Sequence, residues 1–261
     1  MSIELNHRIN GPYDAPVVVF SNSLGASLDM WAPQVPALSI PFRMLRYDQR
    51  GHGDSPVPPG PWDLADLGQD VIDLLDQNEI ERAHFCGLSM GGATGMWLAA
   101  NAPERIDRLV LLCTSARFGT PEMWRERAAQ VRERGTEWVA DAGIERWFTP
   151  EFREREPRVA ERFRAMIAAQ PDEGYAQCCG VLERLDLRDD LAKISAPTLV
   201  IAGAQDPSTP PAPDCELLAE RIPGARLEVL DPAQHLANVE RAPEVTDLIL
   251  EHLDTGGSYE R

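Results

Sequence analysis

His84-Phe85-Cys86-Gly87-Leu88-Ser89-Met90-Gly91-Gly92-Ala93-Thr94-Gly95 is the stretch that decides the architecture. A short apolar run leads into the pattern Gly-x-Ser-x-Gly, and small residues continue behind it. Glycines at 87 and 91 let a strand turn sharply into a helix and hold the Ser89 hydroxyl clear of the backbone. The pentapeptide alone is a weak signal; the strand before it and the helix after it supply the setting that the turn requires. The helix start adds unpaired amides and the positive end of a helix dipole. Ser89 is therefore the candidate nucleophile.

On both sides of this stretch, short β-branched or aliphatic runs alternate with helical patterns, the rhythm of crossover units on a mostly parallel sheet. Val17–Phe20, Met44–Tyr47, His84–Cys86, Leu109–Leu112, Thr198–Ile201 and Leu227–Leu230 are the predicted strands, and residues 1–9 are expected to add an antiparallel edge strand. Leu64, Leu67, Val71, Leu74 and Leu75 recur at helical spacing behind Asp63, a capping residue, which predicts an amphipathic helix near 63–79. The helix opened by Ser89 should stop near Pro103. From Pro121 to Asp190 no strand pattern occurs, and apolar stripes form at Trp124/Ala128/Val131, Val159/Phe163/Met166/Ile167 and Tyr175/Cys178/Leu182/Leu185. The expected class is α/β: a sheet core over 1–117 and 191–254, a helical cap inserted at 118–190, and a flexible tail at 255–261.

Composition narrows the chemistry. The 261 residues include 25 Lys+Arg against 42 Asp+Glu, a net charge of −17. A surface this negative repels phosphate backbones and anionic lipid, so nucleic acid and membrane are poor partners. No apolar run approaches the ~20 residues that cross a bilayer. The first residues lack the pattern of an export signal, and five cysteines (Cys86, Cys113, Cys178, Cys179 and Cys215) are an odd number without zinc spacing. Reduced thiols, a cytoplasmic site, no metal and no cofactor are the expectations. The sequence is also compatible with a homo-oligomer.

A serine hydroxyl needs a base to take its proton and a carboxylate to hold that base. Five histidines are available. His7 and His84 fall in predicted strands and His252 near the last helical turn, whereas His52 lies on a loop after a strand and stands as runner-up. His235 follows Leu227–Asp231 in the short loop Pro232-Ala233-Gln234-His235, which hangs it over the same sheet edge as Ser89. Asp206, in Gly203-Ala204-Gln205-Asp206-Pro207, completes the order Ser, Asp, His; Asp231 competes but belongs to a strand end. Donors for the developing oxyanion are expected from the backbone amides of Met90 and of Leu24, the latter in Ser21-Asn22-Ser23-Leu24-Gly25.

With the Ser89 elbow, Asp206, His235, the helical cap and the loop Tyr47-Asp48-Gln49-Arg50-Gly51-His52-Gly53-Asp54-Ser55, the chain resembles the α/β-hydrolases over nearly its whole length. Within them, Ser21-Asn22-Ser23-Leu24-Gly25, Gln205-Asp206-Pro207-Ser208-Thr209-Pro210-Pro211 and His235-Leu236-Ala237-Asn238-Val239-Glu240 make it similar to the 3-oxoadipate enol-lactonases of aromatic degradation. Most relatives carry His-Gly where this chain has Asn22-Ser23. The resemblance implies that His52 is structural, and that Ser89 opens a carboxylate-bearing lactone through an acyl-enzyme. Such a substrate needs local positive charge, and residues 118–190 hold twelve arginines beside sixteen acidic residues. Most of these arginines should be solvated partners of the acids; Arg127, next to the Trp124 stripe, is the substrate-binding candidate, with Trp124 and Trp147 as pocket wall or core. A general esterase or carbon–carbon bond hydrolase is the nearest alternative, and a non-catalytic ligand receptor on the same scaffold is the alternative of another class.

Overall fold

The computed structural model of the chain describes residues 3–254. In chain order its elements are β1 (His7–Asn10), β2 (Val17–Ser21), α1 (Val35–Leu38), β3 (Arg43–Tyr47), α2 (Leu64–Gln77), β4 (Ala83–Leu88), α3 (Met90–Asn101) and β5 (Ile106–Leu112). There follow α4 (Pro121–Arg134), α5 (Glu137–Trp147), α6 (Pro150–Arg155), α7 (Pro157–Ala168) and α8 (Asp172–Arg184). β6 (Thr198–Gly203), α9 (Glu216–Arg221), β7 (Arg226–Leu230), α10 (Ala237–Glu240) and α11 (Ala242–Leu253) complete the chain. The tail expected at 255–261 lies outside the described residues. No helix among the described residues is long and apolar enough to cross a membrane.

The strands form one sheet in the order β1-β3-β2-β4-β5-β6-β7. All neighbours pair in parallel except β1, which runs antiparallel to β3 at the edge with His7 opposite Tyr47. Parallel strands covered on both faces are apolar throughout, and β4 and β6 are buried at every position. The mostly parallel sheet expected from the sequence is borne out. β5 begins at Ile106, earlier than the predicted run, because Ile106 pairs with Ala83 across a register irregularity that no local pattern reports.

α2 shows why these residues form helices. Asp63 accepts a hydrogen bond from Asp66 N–H at 3.1 Å while Asp66 Oδ2 accepts one from Asp63 N–H at 2.8 Å, a reciprocal cap on the first turn. Leu64, Leu67, Val71, Leu74 and Leu75 are buried, each contributing roughly 1.5–3 kcal/mol by leaving water. Between β5 and β6 lie only helices: α4 packs on α8 and α5 on α7. Trp124, Ala128, Val131, Phe163, Ile167, Tyr175, Cys178 and Leu182 turn inward, and Val159 and Met166 are partly buried.

This topology fixes where a site can form. The chain leaves β2 for β3 on one side and returns to β4 on the other, so β2 and β4 are neighbours whose following loops diverge. The crevice beyond the carboxyl ends of such strands is where open α/β sheets take ligands. Ser21 ends β2 opposite Gly87, which sets the loop at 22–25 beside Ser89.

Candidate active site

Ser89 stands between β4 and α3 with φ 57° and ψ −117°, a conformation that non-glycine residues rarely adopt. Its surroundings hold it there. Ser89 N–H donates to Leu112 O at 3.0 Å, Thr114 Oγ1 donates to Ser89 O at 2.6 Å, and Gly91 N–H donates to Asn22 O at 3.0 Å. The turn has room for no Cβ at its flanks: one on Gly87 would lie 2.2 Å from Gly91 O, and one on Gly91 2.3 Å from Ser21 O. Both neighbours are backbone, so neither yields.

Asp206 and His235 come from the loops after β6 and β7 and meet at 2.8 Å, His235 Nδ1 to Asp206 Oδ2. The same carboxylate accepts from Thr209 Oγ1 at 2.7 Å and from Ser208 N–H at 2.8 Å. Burial alone would raise the Asp206 pKa, but the charge and hydrogen bond of His235, with the Thr209 and Ser208 bonds, outweigh it and hold the carboxyl below its ordinary value. Asp231, the competing carboxylate, is exposed. Ser89 and His235 both line a cavity of about 210 Å³, so the structure brings the three expected side chains to one place.

Leu24 also lines this cavity, and Met90 is the first residue of α3, whose leading amides have no acceptor within the helix. Among the described residues neither the Leu24 nor the Met90 N–H makes a hydrogen bond. Asn22 turns its side chain away, donating from Nδ2 to Tyr47 O at 2.7 Å.

The remaining histidines take other places. His84 lies beside Asp107 at 3.4 Å, and His252 reaches Pro197 O at 3.1 Å. His52 is fully buried, accepts from Gly25 N–H through Nε2 at 2.9 Å and does not line the cavity.

The cap supplies the opposite wall. Trp124, Arg127, Arg146, Trp147 and Tyr175 line the cavity, and the Arg127 guanidinium lies 4.8 Å from the centre of the Trp124 ring. Arg125, Arg132, Arg164 and Arg188 pair with Glu183, Glu173, Glu137 with Asp141, and Asp186. Arg127 and Arg146 have no carboxylate partner among the described residues. Burial lowers the Arg146 pKa, and the nearby positive charge of Arg127 lowers it further. The sequence reading missed Arg146. The signal was present: Val139, Gly143, Arg146 and Trp147 share one face of α5 and all line the cavity, but that face reads as a stripe only when an arginine is admitted to it.

One more buried acid ties cap to core. Glu240 Oε2 accepts from Gln234 N–H at 3.0 Å, beside His235, while its Oε1 meets the hydroxyl of Thr149 between α5 and α6. Leu236 N–H donates to Trp147 O at 3.0 Å across the same seam.

A strained serine on a strand-to-helix turn, with a histidine–aspartate pair from the last two strand ends, is the arrangement that defines a lineage. Residues 16–242 match the alpha/beta hydrolase fold family. The chain belongs to the α/β-hydrolase family. It is 45% identical over 239 residues to 3-oxoadipate enol-lactonase 2 of Acinetobacter baylyi, covering 92% of this chain and 89% of that one. To 3-oxoadipate enol-lactonase 1 of the same organism it is 41% identical over 237 residues, with 91% and 88% covered. Among solved structures, the enol-lactonase from Burkholderia xenovorans superposes with a TM-score of 0.94 at 47% identity and 96% coverage of both chains. The family resemblance read from the sequence is borne out.

Proposed function

We propose that this carboxylic ester hydrolase opens 3-oxoadipate enol-lactone to 3-oxoadipate through an acyl-enzyme on Ser89. The observation that carries the reading is the pair Arg127 and Arg146, two guanidiniums without carboxylate partners among the described residues, in the wall of the cavity that holds Ser89 and His235. Two cations in one cavity wall, near enough for the charge of Arg127 to act on Arg146, repel each other, and a substrate carboxylate relieves that repulsion. The size agrees. About 210 Å³ is below the ~300–1,000 Å³ of pockets that take drug-sized ligands, so the substrate is small. The names of the enol-lactonase relatives support the same substrate.

In this reading His235 Nε2 takes the Ser89 proton as the hydroxyl oxygen attacks the lactone carbonyl, and the Leu24 and Met90 amides hold the resulting oxyanion. Asp206 keeps the Nδ1 hydrogen in place and stabilises the imidazolium. Collapse breaks the ring carbon–oxygen bond; His235 returns its proton to the departing enol, which tautomerises to the ketone and stays tethered as the acyl chain. Water, deprotonated by His235, then releases 3-oxoadipate and restores Ser89. The test is turnover: purified protein should discharge the ultraviolet absorbance of the enol-lactone far faster than it hydrolyses p-nitrophenyl acetate. The reverse preference would leave a general esterase.

A further inference from the structure

The loop after β2 is tied down amide by amide. Ser23 N–H reaches Met30 Sδ at 3.4 Å, Gly25 N–H donates to His52 Nε2 at 2.9 Å, Ala26 N–H to Ser23 O at 3.1 Å, and Leu28 N–H to Asp48 Oδ1 at 2.6 Å. Leu24 N–H alone in this run from 23 to 26 is left without an acceptor among the described residues, and Leu24 is the member that lines the cavity beside Ser23. A free amide between two bound ones is a donor held ready for something else.

We propose that His52 is a positioning residue for the reaction: its Nε2 lone pair fixes the Leu24–Gly25 peptide plane and so aims the adjoining Leu24 N–H at the oxyanion. This rests on the reading of Leu24 and Met90 as the oxyanion donors. The imidazole is itself fixed from three sides. Nδ1 faces Arg50 O at 3.5 Å and Cys178 Sγ at 4.0 Å, and the Tyr175 ring of α8 lies 6.2 Å from its centre. A Cβ on Gly25, whose φ is 85°, would sit 3.2 Å from that Tyr175 ring, so the loop, the histidine and the cap helix are packed as one unit. To accept from Gly25, Nε2 must lack a hydrogen, which places the ring hydrogen on Nδ1 toward Arg50 O. A second proton would set N–H against N–H and release the loop.

The test compares wild type, His52→Leu, His52→Gln and Ser89→Ala in steady-state turnover of 3-oxoadipate enol-lactone. His52→Leu removes the acceptor and should lower kcat about 30-fold with KM changed less than about twofold, a partial form of the ~10²–10³-fold loss on deleting an oxyanion donor. Gln can place Oε1 near the position of Nε2, so His52→Gln should recover most of that loss. Wild-type kcat in His52→Leu, a loss in His52→Gln equal to that in His52→Leu, or a fall carried mainly by KM would overturn the proposal. Should His52→Leu fail to fold, the ring nitrogen shifts of wild-type protein labelled with ¹⁵N-histidine decide: an unprotonated His52 Nε2 at pH 7 supports the assignment and a protonated one refutes it. Turnover retained by Ser89→Ala would remove the underlying acyl-enzyme reading, and the proposal with it. An inactive Ser89→Ala beside an unimpaired His52→Leu removes only the role of His52.

Discussion

Ser89 costs the fold roughly 1–3 kcal/mol of backbone strain at φ 57°, and the hydrogen bonds from Thr114 and to Leu112 keep it in place. Ser89→Ala keeps every one of those backbone contacts. Turnover of the enol-lactone should therefore disappear while the thermal midpoint shifts by no more than a few degrees; a rate near wild type would dismiss Ser89 as nucleophile. Arg146 makes a sharper demand, since a positive charge in the wall acts only on an anionic substrate. Arg146→Leu should lower kcat/KM for the carboxylated lactone about 10- to 100-fold and leave p-nitrophenyl acetate within about twofold, measured side by side. Equal losses on both esters would make Arg146 a packing residue. Of these side chains, Ser89, Asp206 and His235 were readable because each follows a strand in a short loop and their chain order matches the geometry. Arg146 was harder to read, because the face of α5 that it shares with Val139, Gly143 and Trp147 becomes a stripe only when a charged residue is admitted to it.

At the scale of elements, the β4–α3 turn sets the tolerance of the site. Gly87→Ala would drive a methyl group to within 2.2 Å of the Gly91 carbonyl oxygen, a backbone atom in the first turn of α3. A loss of about 2–4 kcal/mol is expected, read from urea denaturation midpoints, with activity falling as Ser89 is displaced. A variant as stable as wild type would show that the turn can widen. The strands were visible in advance because short β-branched and aliphatic runs buried on both faces have few other readings, and α2 because Asp63 and five leucine or valine positions agree. Other features had no local signature. The start of β5 depends on its partner Ala83, and the free amide of Leu24 depends on acceptors supplied by His52 and Asp48 from a distant loop.

For the molecule as a whole, buried histidines tie stability to acidity. Burial pushes the His52 pKa from 6.5 down to about 4, so between those values the unfolded chain binds a proton that the folded chain refuses. Stability contributed by the neutral ring is complete above pH 6.5 and drains away as pH falls toward 4, by about 3 kcal/mol. Buried His84 and half-buried His252 are shifted in the same direction, whereas Asp48 and Asp70, raised by burial against their hydrogen bonds, oppose the trend at the acid end. The comparison that isolates His52 is wild type against His52→Gln in urea at pH 7 and pH 4.5. The wild-type protein should lose about 2–3 kcal/mol more than the variant over that interval, and parallel losses would mean that His52 titrates normally.

Glu240 carries a lesson for anyone exchanging lids among these hydrolases. Because one carboxylate oxygen serves the residue next to His235 and the other serves Thr149, the helical roof and the loop that carries His235 share a rivet. A transplanted roof lacking a hydroxyl at that joint would strand a buried oxygen and loosen a loop it was never meant to touch, so any chimera should carry Thr149 and Glu240 together.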